Sequence, residues 1–142
     1  MSHLDPKYNV GKICKVLEKY YDVSQRRMAT KARPALIIGY EPNYSSGLNV
    51  DYEVVTISKC DKVTPDETYD IEISSTDRLN LGLTNDSYFR SHKTSWCNVR
   101  QVRVEEPIGD LKSYSKDIFN QILQTNHSYV TNRTNENLVS AV

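Results

Sequence analysis

The run Ala32-Arg33-Pro34-Ala35-Leu36-Ile37-Ile38-Gly39-Tyr40 constrains the fold of this chain more than any other stretch. A short apolar run closed by glycine reads as a buried strand. Proline is tolerated at the first residue of a strand, so Pro34 is expected to begin it and to hold Arg33 extended at its mouth, facing outward. A charged side chain in that position is placed to meet a ligand.

The chain around this run has 142 residues, enough for one compact core and short for two. Its longest apolar run, Ala35 to Ile38, is far below the roughly 20 residues that cross a bilayer, and Met1-Ser2-His3-Leu4-Asp5-Pro6 lacks an apolar signal segment. No membrane association and a cytoplasmic location are therefore expected. Cys14, Cys60 and Cys97 are widely spaced, without the close pairs of metal or redox motifs, and read as free thiols. Lys plus Arg and Asp plus Glu number 18 each, which excludes a global basic field and leaves only a local patch for binding nucleic acid.

Read in order, residues 1–9 form a loose lead-in, and Gly11 to Leu17 is the first candidate strand. Tyr20 to Lys31 has no sustained period, and its second half reads as a loop bringing Arg26, Arg27 and Lys31 close before Arg33. Glu41 to Asn49 is rich in turn formers. Tyr52 to Ser58 is a β-branched strand with Tyr52, Val54, Thr56 and Ser58 on one face and Glu53, Val55 and Ile57 on the other. Tyr69 to Ile73 alternates as a half-exposed strand with Tyr69, Ile71 and Ile73 inward.

Ser74 to Leu83 is irregular, with Leu79, Leu81 and Leu83 available to pack under the sheet. A strand from Tyr88 to Trp96 then puts Arg90 and His92 on one face, about 7 Å apart. Asn98 to Val104 reads as a closing strand, stopped by Glu105-Glu106-Pro107. Ser113 or Ser115 caps a helix whose stripe is Tyr114, Ile118, Phe119, Ile122 and Leu123, running to about Gln124. Polar residues dominate from Asn126, where fraying is expected, so the domain is placed at 10–125 with a disordered tail at 126–142. The pattern as a whole predicts a mainly β fold: a small, strongly bent barrel of antiparallel strands with one C-terminal helix.

Several of these segments resemble the PemK/MazF family of toxin endoribonucleases. The Arg33-Pro34 step with its apolar strand resembles the strand that follows a mobile loop in that family. Val10-Gly11-Lys12-Ile13 resembles its Gly-Asp-Ile opening, with Lys12 where an acid is usual. Val54 to Ser58 resembles the strand ending in a Thr or Ser that works with the arginine. Gly82 to Tyr88 and Ile108-Gly109-Asp110-Leu111 resemble its later turns. Arg90 matches a family arginine, while His92 stands where some members have Asp; the Gly-rich Glu-Gln loop segment and the Arg-Thr-Ile-Asp segment are absent.

The resemblance implies an SH3-like barrel, usually a homodimer with an RNA groove across its interface, that cleaves single-stranded RNA to 2′,3′-cyclic phosphate and 5′-hydroxyl ends and is held inactive by an antitoxin protein. The expected catalytic set is Arg33 and Ser58 on the phosphate, Arg90 as a second cation, and His92 for proton transfer, its ordinary pKa being roughly 6.5. Arg26, Arg27, Lys31, Thr56 and Lys93 are the expected RNA contacts. No cofactor is called for, and the absence of His, Cys or acidic clusters at metal-ligand spacing favours a metal-free route. Two other functions stay open: a gyrase-poisoning toxin on the same fold, and an SH3-like binding module using its scattered tyrosines.

Overall fold

The computed structural model describes residues 5–140. Six strands, β1 (Lys12–Asp22), β2 (Arg27–Tyr40), β3 (Asp51–Lys59), β4 (Asp70–Glu72), β5 (Ser87–Asn98) and β6 (Gly109–Asp110), form one antiparallel sheet in the order β4-β5-β3-β2-β1-β6. Helices α1 (Ser75–Asn80), α2 (Leu111–Tyr114) and α3 (Lys116–Asn137) complete the fold. It is mainly β, a curled half-barrel with a C-terminal helix, as the strand pattern predicts. Among the described residues, no helix is long and apolar enough to cross a membrane.

Two register shifts mark the central strands. Ile38 is an extra residue in β2, between the partners Ile37↔Val54 and Gly39↔Glu53. In β5, Ser91, His92 and Lys93 lie between the partners of Val55 and Thr56. Extra residues bend the strand that carries them and increase its twist, which is how a sheet this small curls.

Both faces of the central strands are buried. Ile13, Leu36, Val55, Ile57 and Phe89 pack against Leu111, Phe119 and Ile122 from the helical side. Cys14, Val16, Ala35, Ile37, Tyr52 and Val54 pack on the other face with Val50, Cys97 and Val102. The alternation read in Tyr52–Ser58 thus separates two cores. Each of the Val, Leu, Ile and Phe side chains among them contributes about 1.5–3 kcal/mol by leaving water. Burial also pushes the Cys14 thiol up to about 11 and raises that of Cys97, so both behave as apolar filler.

Gly82 is needed where α1 turns back. It has φ +73°, and a Cβ there would stand 2.6 Å from the Ile108 carbonyl oxygen. Ser115, of the two candidate serines, caps α3 by accepting from the Ile118 amide at 3.2 Å.

Five segments depart from their sequence reading. The expected loop before Arg33 is strand: β1 and β2 form a long ribbon paired from Ile13↔Leu36 to Asp22↔Arg27, and Pro34 lies inside β2 rather than at its start. The turn at 23–26 is closed by Asp22, which accepts from the Ser24 and Gln25 amides, and by Arg26 at φ 52°. Of the expected lead-in, 1–4 lie outside the described residues, while Pro6–Asn9 is a 3₁₀ turn that buries Asn9.

In place of the irregular stretch after Ser74 there is α1, capped by Ser74, with Leu81 and Leu83 buried and Leu79 exposed. The closing strand is replaced by a 3₁₀ turn at Val99–Gln101 and a single bridge, Val102↔Val16, because Asn98 and Gln101 form a capping box that ends β5. Finally, α3 continues to Asn137. The Asn126 side chain donates to the Ser91 carbonyl at 2.9 Å and Tyr129 packs edge-on against Tyr69, tertiary contacts that hold a polar segment helical.

Candidate functional site

The site arises where β2 leaves β3. Their ladder runs from Tyr40↔Tyr52 to Ala35↔Thr56 and stops beside Pro34, which has no N–H to donate. Beyond that point β2 stays with β1, and the gap left against the end of β3 is a groove of about 640 Å³. Arg33 and Ser58 both line it, the pair that the family resemblance implies. Lys31, on the same face of β2 as Arg33, lines it as well, and Lys59 and Lys62 extend the cationic wall beyond Ser58.

Arg33 is half exposed, and its Nε stands 3.4 Å from the Glu18 carboxylate, itself partly exposed. Exposed pairs of this kind contribute about 0.2–1 kcal/mol, so an entering phosphate can displace Glu18 from Arg33 with little loss. Glu18 is on β1 opposite Lys31, and only the register of the ribbon brings it here. The groove therefore presents guanidinium, ammonium and hydroxyl donors, a donor set for a phosphodiester, while Glu18 reaches Arg33 from β1 without lining the groove.

Arg90 and His92 do not line this groove. Their strand lies across β3, with Arg90 opposite Thr56 on one side and Asp70 on the other. Arg90 Nε donates to Asp70 Oδ1 at 3.1 Å, and the Asp70 side chain is only 1% exposed. The second Asp70 oxygen accepts from the Asp66 amide at 2.8 Å. His92 Nδ1 is 3.7 Å from Asp70 Oδ1, buried and without a hydrogen-bond partner. The imidazole ring packs against both Tyr69 and Tyr129, at centroid distances of 5.4 and 5.8 Å, the two tyrosine rings being 5.1 Å from each other.

Burial pushes the His92 pKa below its ordinary value; Asp70 opposes that shift, and Arg90 reinforces it. Arg90 and His92, two residues apart on β5, both face Asp70 Oδ1, as alternation along the strand places them.

The remaining expected contacts are spread out. Arg26 and Arg27 are at the tip of the ribbon, where Arg27 Nε donates to the Gln25 side chain at 2.7 Å; Arg27 is six residues along β2 from Arg33, roughly 20 Å. Thr56 is half buried at the end of the β2–β3 ladder, and Lys93 is exposed on the β5 bend.

Four residues now prominent were missed from the sequence. Lys59 and Lys62 follow Ser58 directly, and that proximity was a usable signal. Glu18 and Asp70 gave no local signal: alternation in Tyr69–Ile73 puts Asp70 outward, and only pairing with β5 gives it Arg90. The chain matches no family model and no curated protein sequence.

Proposed function

We propose that this protein is a metal-independent endoribonuclease that cleaves single-stranded RNA in the groove between β2 and β3, acting as the toxin of a toxin–antitoxin pair. The observation that carries the reading is the convergence of Arg33 and Ser58 on one cation-walled groove. The family resemblance supplies the toxin role, the antitoxin partner and the homodimer.

Arg33 clamps the non-bridging oxygens of the scissile phosphate and holds the charge that grows on them, with the Ser58 hydroxyl donating to the same phosphate. Glu18, released from Arg33 by the phosphate, takes the proton of the ribose 2′-hydroxyl. The 2′-oxygen–phosphorus bond forms as the bond to the 5′-oxygen breaks on the opposite side of phosphorus, the leaving oxygen taking a proton from solvent and Glu18 giving its own back to solvent. The products are a 2′,3′-cyclic phosphate and a 5′-hydroxyl. Lys31, Lys59 and Lys62 neutralise the flanking phosphates, and Arg26 and Arg27 reach the strand from the ribbon tip. In this reading Arg90 and His92 are positioning residues, bracing β5 and hence Thr56 and Ser58 on β3.

The test is incubation of the protein with a long single-stranded RNA in EDTA, followed by mapping of cut sites and end groups. Discrete cuts with cyclic-phosphate ends are expected, and Glu18→Gln should slow them while leaving RNA binding intact. Intact RNA from folded, antitoxin-free protein overturns the reading.

A further inference from the structure

A second cavity, of about 1120 Å³, shares no lining residue with the groove at Arg33. Four segments from three regions of the chain build it: the 3₁₀ turn at Pro6–Asn9 with the start of β1, the turn at Gly47 and Leu48, and, close together in sequence, the 3₁₀ turn at Val99–Gln101 and the segment from Val104 to Pro107. Each is pinned. Asn9 donates to the buried Tyr52 hydroxyl at 2.9 Å, the Leu48 amide donates to Ser46 Oγ at 3.1 Å, and the Arg100 amide donates to the Asn98 side chain at 3.1 Å. A cavity whose walls are fixed independently of any occupant binds without first having to be ordered.

Its chemistry is specific. Tyr8 and Leu48 are large side chains left 54% and 65% exposed, and with Val99, Val104 and Pro107 they make an apolar lining. Two cations stand in that lining. The Lys12 ammonium is held by Asn9 Oδ1 at 3.3 Å, which uses one of its three protons, and Arg100 is the other. Among the described residues, neither cation has a carboxylate within 4.0 Å; Glu105, also lining the cavity, is outside that range. Cations beside exposed apolar surface complement a molecule that brings one negative charge on an apolar body.

We propose that this cavity is a binding site for a small amphipathic anion, an aromatic or aliphatic body bearing a single carboxylate or sulfonate. The apolar body lies against Tyr8 and Leu48, and the anionic head is received by Lys12 and Arg100. The site is independent of the RNA groove and of the reading of that groove.

The probe is anilinonaphthalene sulfonate, an aromatic anion whose fluorescence rises in an apolar site, titrated into the full chain. Saturable binding at one site is expected, displaced by decanoate and not by decylamine, which has the same tail and the opposite charge. The double variant Lys12→Gln, Arg100→Gln and the single variant Leu48→Asp should each weaken binding roughly tenfold or more, with unchanged circular dichroism, since all three side chains reach solvent. Non-saturable binding, equal displacement by decylamine, or unchanged affinity in the variants overturns the proposal. So does absence of probe binding together with a dimer that Leu48→Asp dissociates, which would give the cavity to a second copy of the chain.

Discussion

Two arginine–carboxylate pairs lie on either side of β3. In the groove, Arg33 is 47% exposed against a Glu18 that is 37% exposed; on β5, Arg90 is 16% exposed against an Asp70 that is 1% exposed. Both are guanidinium–carboxylate pairs, and access to water separates their uses. A pair in water holds its partners weakly, so either member is free to turn to a ligand. A pair out of water is costly to break, because the survivor keeps a charge with nothing to answer it. The first arrangement suits chemistry and the second suits architecture.

The sharpest way to break this comparison is Asp70→Ala. It leaves Arg90 unpaired in a buried site and should cost about 3–5 kcal/mol of stability, measured by denaturant unfolding. Glu18→Ala, the matching change in the groove, should cost no more than about 1 kcal/mol. Equal losses would erase the distinction. Next in size, Arg33→Ala should lower the cleavage rate at least about a hundredfold, equivalent to roughly 3 kcal/mol of transition-state stabilisation, with the melting temperature unchanged.

Tyr129→Ala tests the cover of the buried cluster. Loss of the Tyr69 and His92 ring contacts should cost about 0.5–1.5 kcal/mol for each pair, and hydrogen exchange should speed up along α3 from Asn126 onward.

The smallest effect concerns pH. Burial lowers the folded-state pKa of His92 from its ordinary 6.5, so below that value the unfolded chain binds more protons than the folded one. The contribution of neutral His92 is therefore full above pH 6.5 and is lost as pH falls from there through the lowered folded value. Asp70, Asp66, Arg90 and Lys93 are the charged groups acting on it, with the Tyr69 and Tyr129 rings packed against it. Melting temperature should fall more steeply with acidification in the native protein than in His92→Phe; parallel profiles would remove His92 as the titrating group.

Legibility from sequence follows the range of the interaction. The strand at Tyr52–Ser58 was readable because alternation over a few residues fixes which side chains share a face, and both faces proved buried. Arg33 drew notice from the Arg-Pro step before an apolar run, although it lies inside β2 and not at its end, and Ser58 only through the family resemblance. The ribbon at Leu17–Ala32 was not: its pairing is long-range, and its exposed strands carry no hydrophobic alternation strong enough to announce them. The second half of α3 failed for the opposite reason. Its composition is that of a loose tail, and the contacts of Asn126 and Tyr129 with β5 and Tyr69, far away in sequence, make it a helix. Asp70 combines both difficulties, since alternation assigns it to solvent and its partner Arg90 lies on another strand.

The most direct test of the division between groove and cluster compares Arg33→Ala with His92→Phe in one RNA cleavage assay, at a temperature where both are folded by circular dichroism. Arg33→Ala should lose at least about a hundredfold in rate while His92→Phe stays within a few-fold of the native protein. Loss of comparable size in His92→Phe, with a pH profile missing one limb, would contradict it and return proton transfer to the imidazole.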